Sequence, residues 1–333
     1  MTFELQNIPQ KWLITGGCGF IGTALIKQLV SIEKVMQIRI LDNLSVGTRS
    51  DLSKVCDFVD FSNLNEKNEG VFLQEGDILD QSLCNKISKN VDCVVHLAAN
   101  TGVPQSVENP RKDMEINVVG TFNMLEAARI NGIKQFVFAS SGAPAGEVEP
   151  PIHEEIAPHP VSPYGSSKLS GEGYCSSYGR TFGINTVVLR FGNVYGPGSK
   201  RKTSVVAKFI KNVLNGLPCK IYGDGTQTRD FIFVHDLVDA IIKASQLSRG
   251  GEIFQIATSS EKTVNEIAKI IKQQLWEYLK IEMKIVYGEK RSGDVIRNYS
   301  DVSKAKKMLG WETKVDIDTG IRKTIKYFIK LNG

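Results

Sequence analysis

The apolar segment Lys11–Thr15 runs straight into a glycine-rich turn, and this junction constrains the fold more than any other part of the chain. Gly17, Gly19 and Gly22 fit the pattern G-x-G-x-x-G, and Gly16, Gly19 and Gly22 fit the related G-x-x-G-x-x-G. Glycines allow a tight turn, leave the backbone open where a pyrophosphate approaches, and let the following helix pack closely on the strand. The junction therefore predicts a dinucleotide-binding unit. The cofactor-binding residues predicted here are Gly16, Gly19, Phe20, Ile21 and Gly22.

A carboxylate follows the second predicted strand, residues 37–41. Asp42 lies 20 residues beyond Gly22, which is where dinucleotide folds place the acid that accepts hydrogen bonds from the adenosine ribose. Its negative charge would repel a 2′-phosphate, so the sequence favours NAD over NADP. The alternative interpretation of Asp42 is an N-capping residue in a turn.

Further apolar segments alternate with helical patterns for about 190 residues. Strands are predicted at 71–74, 91–97, 135–139 and 186–190, and this alternation indicates an α/β fold with a doubly wound parallel sheet of the Rossmann type. We predict a NAD-binding domain from residues 1–190 plus about 228–257. A smaller, discontinuous α/β substrate domain is predicted from about 191–227 plus 258–333.

Ligands of open α/β sheets bind beyond the carboxyl ends of the strands, so the residues at those ends are candidates. Asp77 is a candidate for the adenine pocket, with a helix cap as its alternative. Ala98 and Ala99 are small enough for the backbone to lie against a cofactor. Ser140 and Ser141 end the fifth strand, where chemistry is expected. The remaining cofactor candidates at these ends are Asn43, Ile78 and Leu97.

Tyr164 and Lys168 stand four residues apart at the start of a predicted helix, and therefore on one face of it. Ser162 can cap this helix, and Pro163 suits its first position. An ammonium close to a phenol favours the phenolate, so we expect the tyrosine pKa to fall toward neutrality and the phenolate to act as a general base. The alternative is a surface tyrosine beside a solvated lysine.

Composition narrows the possible partners. The net charge of +5 is mild and dispersed, which favours an anionic small molecule over nucleic acid. Six scattered cysteines without a C-x-x-C pair indicate a reducing compartment, and no apolar run suggests a membrane span, so we expect a cytoplasmic protein. A metal site at Cys93 and His96 is not expected, since an offset of three on a strand puts them on opposite faces.

Two features of the helices bear on packing. Asn117 falls in the middle of a predicted helix at about 110–130, where it either faces solvent or meets the helix of Tyr164. Gly165, Gly171 and Gly173 would each cost the latter helix about 1 kcal/mol relative to alanine. Close approach to another helix would offset that cost, so we predict a homodimer formed through helices near 110–130 and 163–180.

As a set, these motifs resemble the extended short-chain dehydrogenase/reductases, and among them the nucleotide-sugar 4-epimerases of the UDP-glucose type. The resemblance covers residues 12 to about 311. It rests on the glycine turn and on the segments 41–47, His96-Leu-Ala-Ala99, Asn117-Val-Val-Gly-Thr121, Ser162-Pro-Tyr-Gly-Ser-Ser-Lys168, Arg190-Phe-Gly-Asn-Val-Tyr-Gly-Pro197, Arg229-Asp-Phe231 and Arg291-Ser-Gly-Asp294.

The resemblance implies an NAD-dependent isomerase that inverts C4 of a UDP-sugar through a transient 4-keto sugar. Tyr164 would be the base, Lys168 would hold the nicotinamide ribose, and Ser141 would bind the sugar O4. Asn193, Arg229 and Arg291 would grip the diphosphate, for which guanidinium groups are suited. The other implied substrate contacts are Ser106, Asp294 and Asn298.

Three departures from the family pattern bear on the reaction. Pro144-Ala145 stands where the family has an aromatic wall. Gly142-Ala143 lacks the Asp-Glu pair of the 4,6-dehydratases, and Ala143 lacks the Glu of the UDP-glucuronate decarboxylases. Asn298 is smaller than the tyrosine that excludes N-acetyl groups, so UDP-N-acetylhexosamines are expected to be accepted.

The alternatives are other enzymes of this fold acting on nucleotide sugars, namely a UDP-glucuronate 4-epimerase or decarboxylase, a 4,6-dehydratase or a reductase. A further alternative is a non-catalytic NAD-sensing protein, but it predicts loss of Ser141, Tyr164 and Lys168, all of which are present.

Overall fold

The computed structural model describes residues 7–64, 69–290 and 295–332. The strands in these residues are β1 Lys11–Thr15, β2 Gln37–Asp42, β3 Val59–Asp60, β4 Gly70–Glu75, β5 Cys93–His96, β6 Gln135–Ser141, β7 Asn185–Phe191, β8 Asn193–Tyr195, β9 Cys219–Tyr222, β10 Thr228–Phe233, β11 Glu252–Ile256, β12 Glu261–Thr263 and β13 Ile285–Gly288. The α-helices are α1 Phe20–Leu29, α2 Arg49–Ser53, α3 Gln81–Ile87, α4 Val103–Glu108, α5 Pro110–Met114, α6 Gly120–Ile130, α7 Pro163–Phe182, α8 Val205–Leu214, α9 Val234–Ala244, α10 Val264–Leu279, α11 Ser303–Leu309 and α12 Ile317–Asn332.

Eight of these strands form one parallel sheet in the order β11-β7-β6-β5-β1-β2-β4-β3. The chain leaves β1 toward β2 on one side and later returns to β5 on its other side, so the strand order reverses at β1. This is the switch point where open α/β sheets bind ligands. The predicted doubly wound parallel sheet is confirmed.

Helices cover both faces of the sheet, and for that reason its central strands are buried on both faces. Strand β2 is buried at all of its positions. One core packs α1, α9 and Trp311 against the sheet, and the other packs α3, α6 and α7 against the opposite face.

A second layer holds the strands β12-β10-β8 and the pair β13-β9, with α8, α10 and α12 packed around them. Strand β10 belongs to two cores because its side chains alternate in direction. Ile232 lies in the core beneath the main sheet, whereas Phe231 and Phe233 lie in the core of the second layer. The prediction placed residues 228–257 with the main sheet, and within that range β10 pairs with β8 and β12 while β11 pairs with β7. The division into two domains stays a prediction.

Several predicted features differ from the structure. The helix at 110–130 is interrupted by a π-helical turn, Glu115–Val119, between α5 and α6. The polar segment 48–64, for which no element is predicted above, contains α2 and β3, and Asp51 of α2 accepts hydrogen bonds from Lys200 and Arg201. Strands β12 and β13 and helix α11 were missed, since each is short. None of the described helices is long and apolar enough to cross a membrane.

The glycines of α7 have another explanation than the predicted one. A Cβ atom on Gly171 would lie 2.5 Å from the Phe138 ring, and one on Gly165 would lie 2.7 Å from the Ala143 carbonyl oxygen. Both glycines therefore allow α7 to approach parts of its own chain. A Cβ on Gly173 would meet nothing within 4 Å.

Candidate active site

The turn after β1 has the shape of an anion-binding cradle. Gly16 has φ +69° and its N–H donates to the Leu41 carbonyl oxygen at 2.8 Å. A Cβ on Gly16 would lie 2.9 Å from the Ala98 nitrogen, and one on Gly22 would lie 2.5 Å from the Gly16 oxygen. No side chain caps α1 at Gly19, and its first turn, which contains Phe20 and Ile21, carries no acidic residue. The N–H groups of this helix terminus therefore favour a phosphate group, and the turn fits a dinucleotide.

Asp42 fixes this turn from the end of β2. Its carboxylate accepts hydrogen bonds from the Cys18 N–H and the Leu44 N–H, each at 2.9 Å. Burial raises the pKa of Asp42, and these two backbone hydrogen bonds oppose the rise. Thr48, not Asp42, caps the next helix, so the helix-capping alternative is wrong.

Asp77 lies beside the same edge. Its Oδ2 accepts a hydrogen bond from the Asn43 side chain at 2.9 Å, and its Oδ1 accepts one from the Leu79 N–H at 2.9 Å. The cap of α3 is Asp80, so the capping alternative for Asp77 is also wrong. The neighbouring Ile78 is buried.

A buried histidine shapes the end of β5. His96 Nδ1 lies 2.7 Å from the Thr15 hydroxyl, and its Nε2 lies 3.1 Å from the Thr121 hydroxyl. The Thr15 oxygen also accepts the N–H groups of Leu97 and Ala98 at 3.2 and 3.1 Å. These bonds hold the backbone of residues 97–99 beside Gly16. The described residues contain no group of side chains able to hold a metal ion.

We expect His96 to make the fold acid-sensitive. Burial, with a smaller contribution from Lys168, lowers its pKa from 6.5 to about 3. Below pH 6.5 the His96 side chain therefore binds a proton in the unfolded chain, whereas in the folded chain it does so only near pH 3. The free energy of unfolding should fall by about 1.4 kcal/mol per pH unit across this interval from His96 alone.

Urea unfolding of His96→Gln between pH 7 and 4 tests this expectation. The variant should lose less stability with falling pH than the wild type, because glutamine does not titrate. Equal pH slopes would show that His96 is not responsible.

The predicted catalytic residues meet where α7 passes the end of β6. Ser162 caps α7 by accepting the Gly165 N–H at 3.1 Å, and the Ser141 side chain is close enough to Tyr164 to affect the pKa of its hydroxyl. The Ser141 oxygen also accepts the Ala143 N–H at 3.2 Å, and the turn Ala143–Ala145 that contains Pro144 packs under α7. Lys168 donates to the Ala139 carbonyl oxygen at 2.9 Å. The alternative of a solvated surface pair is wrong, because Lys168 is only 3% exposed.

The protonation of this pair corrects one expectation. Burial raises the pKa of Tyr164 to about 12, although the hydrogen bond from Ser141 opposes the rise. Burial also lowers the pKa of Lys168 to about 8, while Asp113 and Glu172 act in the opposite direction. The Lys168 ammonium lies 6.0 Å from the centre of the Tyr164 ring. Burial thus dominates, and the protein's own groups raise the Tyr164 pKa instead of lowering it toward neutrality.

The predicted substrate contacts lie partly on the second layer and partly on α4. Asn193 and Arg229 lie on the adjacent strands β8 and β10, and Arg229 donates to the Val295 carbonyl oxygen at 2.7 Å. The Asn298 N–H donates to the Thr228 hydroxyl at 3.3 Å. Ser106 is fully buried and donates to the Val103 carbonyl oxygen within α4 at 2.8 Å. Arg291 and Asp294 lie outside the described residues.

Two buried polar clusters beside Tyr164 were missed in the sequence. In one, Glu172 pairs with Arg190 and accepts a hydrogen bond from Ser140. The other contains Asn100, Asp113, Asn117 and Ser167. The predicted contact of Asn117 with the Tyr164 helix is confirmed, since its amide lies 3.0 Å from the Ser167 hydroxyl. The available signal for Asp113 was its position four residues before Asn117, on the same helical face.

Comparison with known proteins identifies related chains. A model of the NAD dependent epimerase/dehydratase family matches residues 12–257. A putative UDP-glucose 4-epimerase of Methanocaldococcus jannaschii is 39% identical over 321 residues, which are 95% of this chain and 97% of that one.

Two solved structures have the same architecture. The UDP-glucose 4-epimerase of Thermotoga maritima, solved with UDP-glucose, is 34% identical with a TM-score of 0.85, and the match covers 97% of this chain and 99% of that one. The UDP-N-acetylglucosamine 4-epimerase of Methanobrevibacter ruminantium, solved with UDP-N-acetylmuramic acid, is 31% identical with a TM-score of 0.86 and the same coverage.

Proposed function

This chain belongs to the NAD dependent epimerase/dehydratase family, and on that premise we propose that it is an NAD-dependent isomerase that interconverts the C4 epimers of a UDP-hexose. The observation that carries the proposal is the meeting of Ser141, at the carboxyl end of β6, with Tyr164 and the buried Lys168 in the first turns of α7, where Lys168 donates to the Ala139 carbonyl oxygen of β6 at 2.9 Å.

The residues divide the work as follows. NAD, when bound, supplies the acceptor and later the donor of the C4 hydride. Tyr164 takes the proton from the sugar O4 and returns it, which makes it both base and acid. Ser141 holds O4 by a hydrogen bond, and Lys168 provides a positive charge that favours the phenolate. Because the 4-keto sugar must turn over between the two hydride transfers, the protein needs a firm grip on the diphosphate and a loose one on the hexose.

The cofactor site is proposed from the groups around the switch point. The N–H groups at the start of α1 would hold the pyrophosphate, and Asp42 would accept from the adenosine ribose. Asn43, Asp77 and Ile78 would line the adenine side. The backbone of Leu97, Ala98 and Ala99 would lie against the middle of the cofactor, and Lys168 would bind the nicotinamide ribose.

The substrate site is proposed on the second layer. Asn193 and Arg229 are candidates for the diphosphate, together with Arg291, and Asp294 is a candidate for an adjoining contact. Asn298 is small and anchored by its backbone to Thr228, which favours acceptance of an N-acetyl group at C2. A buried Ser106 that bonds within α4 has no evident part in substrate binding. A 4,6-dehydratase is disfavoured because Ala143 brings neither an acid nor a base to the Ser141 turn.

Proton NMR of the purified protein with UDP-glucose, UDP-N-acetylglucosamine and UDP-glucuronate, each alone and at first without added NAD, tests the reaction. We expect the C4 epimer to appear from UDP-glucose, and turnover without added cofactor would show that NAD is retained. Turnover of UDP-glucose without any turnover of UDP-N-acetylglucosamine would remove the inference about Asn298. A lasting 4-keto, decarboxylated or deoxygenated product would instead support another enzyme of the family.

A homodimer is proposed from the exposed apolar face of the helices on one side of the sheet. Phe122 of α6 and Tyr174 of α7 are 36% and 38% exposed, and their ring centres lie 5.4 Å apart. Met114, Val119 and Phe182 extend this face with exposures of 42%, 41% and 46%. Contiguous apolar surface of this kind is typical of protein interfaces.

We expect Phe122→Glu to weaken the dimer by at least about 100-fold, because a carboxylate would be buried in an apolar interface. Light scattering over a dilution series measures the effect. Leu217→Glu is the matched control, since Leu217 is 53% exposed on a turn outside this face. A wild-type chain that is monomeric at all concentrations would contradict the proposed dimer.

The cellular setting is proposed from the cysteines. All six are free thiols in the structure, and five of them are buried, which supports a reducing compartment such as the cytoplasm. A role in polysaccharide biosynthesis stays a prediction from the resemblance.

A further inference from the structure

Asp113 is a completely buried acid that the reaction described above does not use. It lies in α5, its side chain is 0% exposed, and its Oδ2 has no hydrogen-bond partner among the described residues. Its Oδ1 accepts hydrogen bonds from the side-chain amides of Asn100 and Asn117, each at 3.1 Å. A buried carboxylate with an unpartnered oxygen is costly to keep, so a structural role alone does not account for it.

A short chain of hydrogen bonds joins this acid to the catalytic helix. The Asn117 amide lies 3.1 Å from Asp113 Oδ1 and 3.0 Å from the Ser167 hydroxyl. Ser167 in turn donates to the Tyr164 carbonyl oxygen at 3.1 Å, and Lys168 is the next residue. Asn117 also accepts the Asn100 N–H at 2.8 Å, which ties the loop after β5 into the same cluster. The π-helical turn that contains Asn117 begins two residues after Asp113, and such turns occur frequently at functional sites.

We propose that Asp113 is a positioning residue of the catalytic centre, which through Asn117 and Ser167 fixes α7 at Tyr164 and stabilises the ammonium of the adjacent Lys168. The inference rests on the proposed function for the identity of the proton that Tyr164 moves, but the charge effect on Lys168 stands without it.

The charges around the pair agree with this role. Burial lowers the pKa of Lys168 to about 8, and Asp113 is the leading group that opposes the fall, ahead of Glu172 and Cys175. Burial raises the pKa of Tyr164 to about 12, and Asp113 adds to the rise. His96 is the ionisable group facing Lys168 from β5, and it is neutral near pH 7 because its pKa is about 3. Glu172 is ion-paired with Arg190, whereas Asp113 Oδ2 has no hydrogen-bond partner in the described residues.

The direct test is the pKa of Lys168, measured by NMR of chain labelled with [13Cε]lysine and assigned with Lys168→Ala. In Asp113→Asn and Asp113→Ser the pKa of Lys168 should fall by about one unit, as expected when a nearby opposite charge is removed. The two neutral variants differ in shape, so a shift common to both reports the charge and not a packing defect. Asp113→Glu, which keeps the charge, should leave this pKa close to the wild-type value.

Glu115→Gln is the matched control. It removes a charge two residues further along, where Glu115 is paired with Arg111 and its side chain is 41% exposed. Water screens this charge, so the pKa of Lys168 should not change. An unchanged Lys168 pKa in both neutral Asp113 variants would overturn the proposal.

The pH profile of epimerisation gives a second readout. Loss of the Asp113 charge should move both the acid and the alkaline limbs to lower pH, whereas a merely loosened site would lower kcat at every pH without moving them. If the wild type catalysed no epimerisation, the proposed function would fail, and the NMR titration would still decide the role of Asp113.

Discussion

Tyr164→Phe should lower kcat for C4 epimerisation by about 10³-fold or more, the range expected when a general base and acid is removed. The substitution deletes only the phenolic oxygen. The ring stays in its partly buried position, and Ser141 keeps the hydrogen bond that it accepts from the Ala143 N–H. The loss of one hydrogen bond should reduce the free energy of unfolding by about 1 kcal/mol, too little to unfold the chain.

The measurement compares three quantities, namely turnover by NMR, bound NAD released on denaturation, and unfolding in urea. NAD content should equal that of the wild type, because the cofactor grip is assigned to the glycine turn, Asp42 and Lys168. Tyr287→Phe is the control, since Tyr287 is 61% exposed in the second layer and should retain full activity. Full activity in Tyr164→Phe would show that another group is the base.

Glu172→Gln should destabilise the fold by about 3–5 kcal/mol, the effect typical of breaking a buried ion pair. Glu172 and Arg190 each have only 2% of the side chain exposed, and their Oε2 and Nη2 atoms lie 2.7 Å apart. The other carboxylate oxygen accepts from Arg190 Nε at 2.9 Å and from the Ser140 hydroxyl. Glutamine can accept one of these bonds but leaves the guanidinium charge buried without an anion.

Urea unfolding at pH 7 measures this loss. Glu172→Gln combined with Arg190→Met should recover much of the stability, because a buried ion pair can often be replaced by apolar groups. Glu312→Gln provides the surface comparison, since its partner Lys306 is 69% exposed and the pair should contribute less than about 1 kcal/mol. A loss in Glu172→Gln no larger than in Glu312→Gln would mean that the charge of Arg190 is compensated in another way.

The sequence predicted the parts of this fold that depend on interactions between residues close together in the chain. The glycine turn could be predicted because a Cβ atom at Gly16 or Gly22 would collide with neighbouring backbone atoms, so only glycine is possible there. The strands could be predicted because parallel strands covered on both faces form nearly continuous apolar runs. The helix of Tyr164 is readable because Ser162 and Pro163 mark its start. These local signals also brought Ser141, Tyr164 and Lys168 to the correct edge of the sheet.

The parts that were not predicted depend on groups that are distant in sequence. The Tyr164 pKa is set by burial among several elements, which no spacing reveals. The role of Asp113 becomes visible only when Asn100, 13 residues away, is seen to donate to it and when Asn117 is seen to join it to Ser167 on another helix. The glycines of α7 suggested a second helix, whereas Phe138 and Ala143 of the same chain fill that space.

Strand β10 has a consequence for how such proteins diverge. Its successive side chains lie in separate cores. Ile232 and Phe233 therefore pack against different residues although they are adjacent in sequence. A recombinant that receives its second layer from a relative would therefore also receive Ile232, which must fit the core beneath the recipient's main sheet. New specificities are better sought by substituting surface-facing residues of the second layer than by exchanging the whole layer. Strand β10 contributes to the cores of both the main sheet and the second layer, so the two must change together.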